Sequence, residues 1–397
     1  MKLKELCKIK HGFAFKGKDI IKNYSTKYVL VTPGNFNIGG GFKKDKCKYF
    51  SENGNIPKDY ILRENDLIVT MTDLSVKSDT LGYSALIPKD NNIYLHNQRI
   101  GLVHDIDESK VLKDYLYWFM RTKKYQQEVV ASQSGTAIHH TSPDRILNIE
   151  IDLPSIDNQR KIVKILSDVE HKIKNNNDTN NNLHDLCNNL YFRLVSQLND
   201  TNSSVESIKN VAKCVLGGTP SRIKKEYWNG SINWINSGEI NKFRIIKASE
   251  KITELGLNKS STTLLPRGTT VLAITGATLG QVSRLEIDSC ANQSVIGIIT
   301  NKKELNNYMY LSILNSINDV VLKKTGGAQQ HINKNDVETH EIIVPSTELI
   351  SQFDEIIRPL FDQISVNCFE INKLEQLRDT LLPKLMNDEI DLDNIEI

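Results

Sequence analysis

The residues of this 397-residue chain that could do chemistry form no recognisable catalytic pattern. His139 and His140 are adjacent, but neither H-E-x-x-H nor a His/Cys cluster accompanies them. The segment GATLGQV at 276–282 has two glycines and lacks the GxxxxGK[ST] pattern of a phosphate loop, so we interpret it as a turn. No nucleophile has a base beside it in a known spacing. The chain is therefore expected to bind a partner rather than to catalyse a reaction.

Composition narrows the setting in which binding would occur. No run of 18 apolar residues exists, and the start MKLKELCKIK has no apolar segment behind its lysines. The six cysteines form no CxxC pair, which argues against a zinc site or a disulfide framework; they are Cys7, Cys47, Cys187, Cys214, Cys290 and Cys368. We expect a cytoplasmic protein of two or more domains that binds no metal and no cofactor itself.

The net charge of +2 conceals two basic blocks. Residues 1–150 carry 23 Lys+Arg against 17 Asp+Glu, and residues 201–345 carry 17 against 12. The stretch 151–200 is near neutral, whereas residues 346–397 carry 4 against 12. Basic blocks suit a polyanion such as nucleic acid, although many ordinary domains have an excess of this size.

The chain contains one unit written twice. LHNQRIG at 95–101 resembles CANQSVIG at 290–297, so that Asn97-Gln98 matches Asn292-Gln293 at an offset of 195. Further matches follow in the same order: Gly12 with Gly218, 62–70 with 265–275, 134–140 with 325–331, and 149–154 with 340–345. From Gly135 onward the offset stays at 191. This offset also carries Leu183, Leu190 and Leu194 onto Leu374, Leu381 and Leu385, and six matches in one order indicate a duplication.

Each copy begins with a globular α/β or α+β part. Short apolar runs separated by Gly, Asn, Lys and Pro predict strands at 28–32, 67–71, 93–103, 270–274 and 294–299. Helices are predicted at 113–125 and 305–321. We place the globular domains at 1–154 and 201–345.

A long helix follows each domain, at 155–200 and at 346–386, with a tail at 387–397. Apolar positions 162, 166, 169, 173, 183, 187, 190 and 194 alternate at four and three residues, and the offset of 191 repeats this stripe. The stripes predict two helices that pair as an antiparallel coiled coil with pseudo-two-fold symmetry.

Both stripes have a polar gap, at Asn176 and at Asn367. We predict that these asparagines face each other and fix the register. The alternative is that NNNDTNNN at 175–182 is biased composition or a helix break. We also expect a kink or a helix start near Pro359, and a helix end near Pro383.

This pattern resembles the specificity subunit of Type I restriction–modification enzymes over essentially the whole chain. The best local matches are LGGTPSRIKKEYWNGSINWINSGEI at 216–240, NQSVIGI at 292–298, TGGAQQHI at 325–332 and LLPKLMNDEI at 381–390. Asp388 stands where the family usually has glycine. The first domain matches less well at its opening, as expected where each domain reads its own DNA sequence.

The resemblance implies a non-catalytic subunit. Each globular domain would read one half of a split DNA site, while the coiled coil sets the spacing and docks two methylation subunits. The complex would use S-adenosylmethionine, and ATP and Mg²⁺ when restriction subunits are present. A Type II recognition subunit, a catalytic chain with a degenerate motif and a coiled-coil scaffold for protein ligands are the alternatives.

Polar and basic residues in loops are the candidates for DNA contact, since Lys and Arg suit phosphates and Arg, Asn, Gln and His suit base edges. In the first copy they are Lys16, Lys18, Lys43, Lys44, Lys46, Lys48, Arg99, Ser134, Thr136, His139 and His140. In the second copy they are Ser221, Arg222, Lys224, Lys225, Asn236, Ser237, Gln329, Gln330, His331 and Lys334. Trp228 and Trp234 are expected in the core. We expect the Asn-Gln pairs to open strands and to hold neighbouring loops rather than to contact a ligand.

Overall fold

The computed structural model of the protein describes residues 1–21, 26–44, 47–73, 75, 79–135, 139–322 and 331–392. The chain divides into two units, residues 1–171 with 375–397, and residues 172–374. Each unit contains one globular domain and a part of both long helices. Within the described residues, no helix is long and apolar enough to cross a membrane.

In the first unit, a four-stranded antiparallel sheet packs beside a five-stranded sheet. The strands of the first unit are β1 (Lys8–His11), β2 (Ile20–Ile21), β3 (Tyr28–Val31), β4 (Lys48–Phe50), β5 (Ile61–Leu62), β6 (Leu67–Thr70), β7 (Thr72–Asp73), β8 (Ser84–Leu86), β9 (Ile93–His96), β10 (Ile100–His104) and β11 (His139–His140). The sheet orders are β1-β10-β6-β8 and β2-β4-β3-β9-β5, with β3 and β9 parallel. The helices are α1 (Lys113–Phe119), α2 (Lys123–Ala131) and α3 (Pro143–Leu147), followed by the long α4 (Ile156–Val195).

The second unit repeats this plan. Its strands are β12 (Ser203–Ser207), β13 (Ala212–Leu216), β14 (Trp228–Ile235), β15 (Glu250–Ile252), β16 (Thr270–Ala273), β17 (Val282–Arg284), β18 (Cys290–Ala291), β19 (Val295–Thr300) and β20 (Glu341–Pro345). The order β13-β19-β16-β17 matches the four-stranded sheet of the first unit, and β14 and β18 form the parallel pair. The helices are α5 (Ile208–Val211), α6 (Glu254–Asn258), α7 (Asn306–Leu322), α8 (Lys334–Glu338) and the long α9 (Thr347–Met386).

The sequence-based elements are mostly present, with two corrections. The single strand expected at 93–103 is two strands, β9 and β10, because the chain turns at Asn97. The helix expected at 113–125 is also two, because the Thr122 side chain accepts a hydrogen bond from the Tyr125 amide and caps the start of α2. The helix expected at 305–321 is α7, displaced by one residue at each end.

Most of the apolar residues that the two long helices bury lie on the heptad stripe or directly beside it. In the first unit Ile162 and Leu166 of α4 share a core with Leu382 and Leu385 of α9. In the second unit Cys187 and Tyr191 of α4 share a core with Phe353, Ile357 and Phe361 of α9. Ion pairs and hydrogen bonds within each unit, such as Glu170 with Arg378 and Asn180 with Asn367, show that the two helices run antiparallel. The predicted architecture of two tandem globular domains, each followed in the chain by a long helix, is therefore confirmed.

Pro359 is not a helix start, whereas α9 does end close to Pro383, as expected. The helix starts at Thr347, twelve residues before Pro359, and continues through it to Met386, three residues beyond Pro383. Buried Phe353, Ile357 and Phe361 lie on both sides of Pro359. Their packing outweighs the roughly 3 kcal/mol that a proline costs inside a helix. The asparagine-rich segment 175–182 is likewise continuous helix.

Candidate nucleic-acid interface

In the first unit, four separate chain segments lie side by side at one end of the four-stranded sheet. The Phe13 amide donates to the His96 carbonyl (2.8 Å), and the Gln98 amide donates to Phe13 (3.0 Å). The Met71 amide donates to the Arg99 carbonyl (2.9 Å), and β7 pairs with β11 at Thr72 and His140. We call residues 12–18, 71–73, 97–99 and 139–141 the loop edge of the first unit.

The second unit has the same edge. The Gly218 amide donates to Ala291 (2.8 Å), the Ile274 amide to Ser294 (3.0 Å), and the Ile332 amide to Ile274 (3.0 Å). The backbone of Thr275 forms a β-bridge with that of His331, just as Thr72 pairs with His140 in the first unit. Residues 217–225, 274–275, 292–294 and 331–332 form the loop edge of the second unit. One frame of backbone hydrogen bonds therefore occurs twice.

The Asn-Gln pairs build this frame. The Asn97 side-chain oxygen accepts from the Arg99 amide (3.0 Å), and the Asn292 oxygen accepts from the Ser294 amide (3.1 Å). Each turn leads directly into a buried strand, β10 or β19. Such Asx turns are typical of asparagine ahead of a strand, which agrees with a structural role for the pair.

A glycine lies against each asparagine, and it corrects the alignment of the two copies. A Cβ atom on Gly12 would lie 2.1 Å from the Asn97 carbonyl oxygen, and one on Gly217 would lie 2.1 Å from that of Asn292. Gly12 therefore matches Gly217, at an offset of 205, rather than Gly218. Both positions require glycine because the loop crosses directly over a backbone carbonyl.

The second Asn-Gln pair also holds the adjacent loop by a side chain. The Thr219 hydroxyl donates to the Gln293 side-chain oxygen at 2.5 Å. Thr219 opens the loop that carries Ser221, Arg222, Lys224 and Lys225, all of which are exposed. In the first unit the corresponding loop carries Lys16 and Lys18, which are also exposed. The candidates in these two loops are thus brought to equivalent places.

Arg222 is already committed within the protein. Its guanidinium donates two hydrogen bonds to the Glu250 carboxylate and lies 3.6 Å from the centroid of the Trp228 ring. Hydrogen bonds from Arg222 hold the pKa of Glu250 below its usual value. Because the hydrogen-bonding edge and the flat face of the guanidinium are both occupied, Arg222 positions its loop. Glu250 lies 28 positions away, so no local pattern indicated this partner.

The two tryptophans support the same loop. Trp234 is 2% exposed, its ring nitrogen donates to Gly218 (3.0 Å), and its ring meets Trp228 edge to face. The Trp228 nitrogen donates to the Ser221 carbonyl (3.2 Å). Both side chains therefore hold the loop by hydrogen bonds from their ring nitrogens. They also pack in one small apolar cluster, as expected for core residues.

Asn236 and Ser237 lie in a capped turn. The Asn236 oxygen accepts from the Gly238 amide (2.8 Å), and the Asn236 amide donates to Glu239 (3.2 Å). The first unit has the same turn, where the Thr32 amide donates to Asn35 (2.8 Å). Buried Glu239 and Asn35 are residues that our sequence reasoning missed, although the three-residue spacing of a capping box was a usable signal.

The remaining candidates of the first unit are distributed over two places. His139, His140 and Arg99 lie on the loop edge, and the His140 ring nitrogen lies 3.1 Å from the Thr72 hydroxyl. Ser134 forms a bridge with His140. Lys48 belongs to β4 in the five-stranded sheet, and Lys43 and Lys44 precede that strand, with Lys44 bound to Asp90 (2.7 Å). Lys46 and Thr136 lie outside the described residues.

A carboxylate that we did not predict organises the loop after β7. Asp73 is 3% exposed and accepts hydrogen bonds from Ser75 and from the Thr80 hydroxyl (2.7 Å). Burial acts to raise the pKa of Asp73, but these hydrogen bonds outweigh it and leave the pKa below its usual value. Asp73 thus stays ionised and fixes the chain next to His139.

In the second unit, His331 lies on the loop edge and is exposed, while Lys334 forms an ion pair with Glu338 (3.3 Å) one turn along α8. Gln329 and Gln330 lie outside the described residues. Among the residues that the structure describes, no three His, Cys, Asp or Glu side chains form a group that could hold a metal ion.

The seam asparagines are buried, but their hydrogen bonds differ from our prediction. The Asn367 amide group donates to the Asn180 side-chain oxygen (2.9 Å), while Asn176 donates to Glu370 (2.8 Å). The partner of Asn367 in α4 is therefore Asn180, which lies about one helical turn after the predicted partner Asn176. Our prediction used the repeat offset alone, whereas the register of an antiparallel pair depends on how the two helices slide past each other.

Comparison with known proteins agrees with this duplicated plan. The model of the Type I restriction modification DNA specificity domain matches residues 1–185 and again residues 201–377. These matches cover most of the chain, and the chain belongs to this family of DNA-specificity domains.

Two curated relatives and one solved structure illustrate the similarity. The chain is 27% identical over 190 residues to the Type I restriction enzyme HindI specificity subunit of Haemophilus influenzae, a match covering 47% of this chain and 41% of that protein. It is 21% identical over 336 residues to the MjaIX specificity subunit of Methanocaldococcus jannaschii, covering 79% and 76%. The crystal structure of a Type-I restriction-modification S subunit from M. genitalium aligns over 97% of this chain and 95% of that chain, with a TM-score of 0.60 and 15% identity, and so shows the fold.

Proposed function

We propose that this chain is the non-catalytic specificity subunit of a Type I restriction–modification complex, and that it reads a bipartite DNA target. The observation that carries the proposal is the duplicated loop edge. The same backbone frame presents lysines in the first unit and a different set of side chains in the second. Two readers of unlike half-sites would need a shared frame with unlike contacts.

The partners of the proposed complex are double-stranded DNA, two methylation subunits and, where the system cuts DNA, restriction subunits. S-adenosylmethionine would be used by the methylation subunits, and ATP with Mg²⁺ by the restriction subunits. No function of this chain in the proposal requires a bound cofactor. Its own contribution is DNA affinity and the choice of sequence.

The experiment that tests the proposal is co-expression with the neighbouring methylation subunit, followed by mapping of methylated adenines. We expect one bipartite motif with a fixed spacer, and no methylation when this chain is omitted. Exchanging residues 217–225 for the corresponding loop of a relative should change one half-site only. Methylation or cleavage by the purified chain alone would contradict the proposal.

The spacer gives a second test of the same proposal. If the paired helices set the distance between half-sites, one heptad added to each helix lengthens the pair by about 10 Å, or about three base pairs. We expect a longer spacer with unchanged half-sites. A changed half-site with an unchanged spacer would count against this role for the helices.

A further inference from the structure

The loop at 217–225 carries an unusual side chain at its tip. Ile223 is 93% exposed, the largest exposed fraction of any large hydrophobic residue in the described part of the chain. Its neighbours Arg222 and Lys224 are also exposed, and Lys225 follows them. An exposed aliphatic side chain among cations contributes nothing to the core of its own domain.

The loop is held firmly enough to present that side chain in one place. Thr219 is bound by Gln293, and the Ser221 carbonyl by the Trp228 nitrogen. Arg222 lies on the Trp228 ring and binds Glu250, and the Lys224 ammonium donates to the Tyr227 hydroxyl (3.0 Å).

These anchors use polar and charged groups of the loop. On an ordinary protein surface the charged side chains face solvent and the aliphatic ones are covered, and in this loop the two are exchanged. The arginine is taken up by contacts within the protein, whereas the isoleucine is left to solvent. A mobile loop would lose conformational entropy on binding, and an anchored one loses less. The geometry therefore presents an apolar contact surface that is ready before binding.

We propose that Ile223 is a specificity residue that packs against the C5-methyl group of a thymine in the half-site read by the second unit. This inference rests on the proposed function. Lys224 and Lys225 supply the charge complementary to phosphates, which selects duplex DNA as the occupant. Isoleucine has no donor or acceptor, and the thymine methyl is the apolar group that the major groove displays.

The corresponding position in the first unit is different in kind. Counting from the equivalent glycines Gly12 and Gly217, Ile223 matches Lys18, which is exposed as well. A lysine there can contact a phosphate or a guanine, but it does not recognise a methyl group. The same loop position therefore serves a different preference in each copy.

The test measures DNA binding by the complete complex with its methylation subunits, on the motif found by adenine mapping. Duplexes carry uracil in place of thymine, one position at a time, because uracil lacks only the methyl group. At one position in the second half-site, we expect wild-type affinity to fall roughly fourfold, the scale of one buried methyl group. Ile223→Ala should show the same loss on the thymine duplex and no further loss from uracil there.

Val205→Ala is the matched control, since Val205 is 66% exposed on β12 of the same unit. It should bind every duplex as wild type does, and Ile223→Val should retain most of the thymine preference. Two results would overturn the proposal. One is that Ile223→Ala binds the thymine duplex as tightly as wild type does, and the other is that the losses from Ile223→Ala and from uracil are independent at every position. A loss that no uracil reproduces, with increased 2-aminopurine fluorescence in the wild-type complex, would replace it with a wedge between bases. If the wild-type complex does not distinguish DNA sequences at all, the proposed function itself fails.

Discussion

At the scale of single residues, the repeat is visible in side chains whose chemistry serves the backbone. Asn97 and Asn292 each bind the amide two residues ahead, and Gly12 and Gly217 each leave room for the asparagine carbonyl. Only a short side chain with an acceptor makes such a turn, and only glycine fits under it. These identities are shared because they build the frame. The neighbours that differ, such as Lys18 and Ile223, are the ones to which we assign DNA contacts in the proposed function.

Lysines that look alike in the sequence differ in what they are free to do. Lys225 is exposed at the loop edge, whereas Lys44 is bound to Asp90 at 2.7 Å. In the proposed complex, Lys225→Ala should weaken binding to all duplexes and reduce the salt dependence by about one counterion. Lys44→Ala should leave the slope of log affinity against log salt unchanged. Binding titrations across a range of salt concentrations measure both, and equal slopes for the two variants would refute the difference.

His96 introduces a pH dependence into the first unit. It is fully buried, its Nε2 lies 2.8 Å from the Ile100 carbonyl oxygen, and desolvation lowers its pKa to about 4. In the unfolded chain the pKa is about 6.5, so the unfolded state binds more protons between these values. The stabilising effect is therefore present above pH 6.5 and is lost as the pH falls towards 4.

We expect the β9 and β10 amides to lose about 2 kcal/mol of protection from hydrogen exchange between pH 7 and pH 5, after correction for intrinsic rates. His96→Ala should remove most of this change, even if it lowers protection at pH 7. The equivalent residue of the second unit is Ala291, also buried, so the β18 and β19 amides serve as an internal control. A similar pH effect in both units would contradict the assignment to His96.

At the scale of elements, the long helices show packing that outweighs local propensity. Asparagine is a poor helix former, and α9 contains Pro359, yet both helices run for 40 residues. The seam buries Asn176, Asn180 and Asn367 among its apolar residues. A buried amide costs less when another amide satisfies it, which favours the register in which Asn180 meets Asn367.

A double-mutant cycle tests this pairing. Asn367→Ala should destabilise the helix pair by about 1–3 kcal/mol, since it leaves a buried amide without its partner. The double variant with Asn367→Ala and Asn180→Ala should lose less free energy of unfolding than the sum of the losses in the two single variants. Asn176→Ala should be close to additive with Asn367→Ala, because Asn176 binds Glu370 instead. Chemical denaturation of the three single and two double variants measures the coupling, and coupling to Asn176 rather than Asn180 would restore the register predicted from the repeat.

At the scale of the whole molecule, each unit is assembled from distant parts of the chain. The first contains residues 1–171 and 375–397, so the end of α9 packs into its core. The second contains the end of α4 and the start of α9. The offset of 191 carries Ile162 and Leu166 onto Phe353 and Ile357, and Tyr191 onto Leu382. Both cores are thus built from the same positions of the repeat.

This assembly predicts a long-distance effect of a substitution near the C-terminal end of the sequence. Leu385 is 3% exposed in the core of the first unit, and Leu385→Ala should destabilise that unit by about 2–5 kcal/mol. Leu377→Ala, at a residue 46% exposed in the same helix, should cost well under 1 kcal/mol. Hydrogen exchange should show the loss in β6 and β10 rather than in β16 and β19. A loss confined to the second unit would contradict this division.

The sequence by itself determined the duplication, the α/β character of both units and the two heptad stripes. These follow from local rules, since turn residues and apolar spacing act within a few positions. They were sufficient for the family resemblance and for locating the loops at 12–18 and 217–225. The same rules could not show that Arg222 is occupied by Glu250 while Ile223 is left exposed, because neighbouring residues in a loop have unrelated partners.

Only the tertiary structure decided the register of the long helices, the course of α9 through Pro359 and the residues that share each core. It also decided which candidates gather at the loop edge, and it showed that Lys44 is bound to Asp90. Each of these depends on contacts between residues tens to hundreds of positions apart. The free energy of such contacts is set by which surfaces meet in three dimensions, and no short window of sequence contains both sides of the contact.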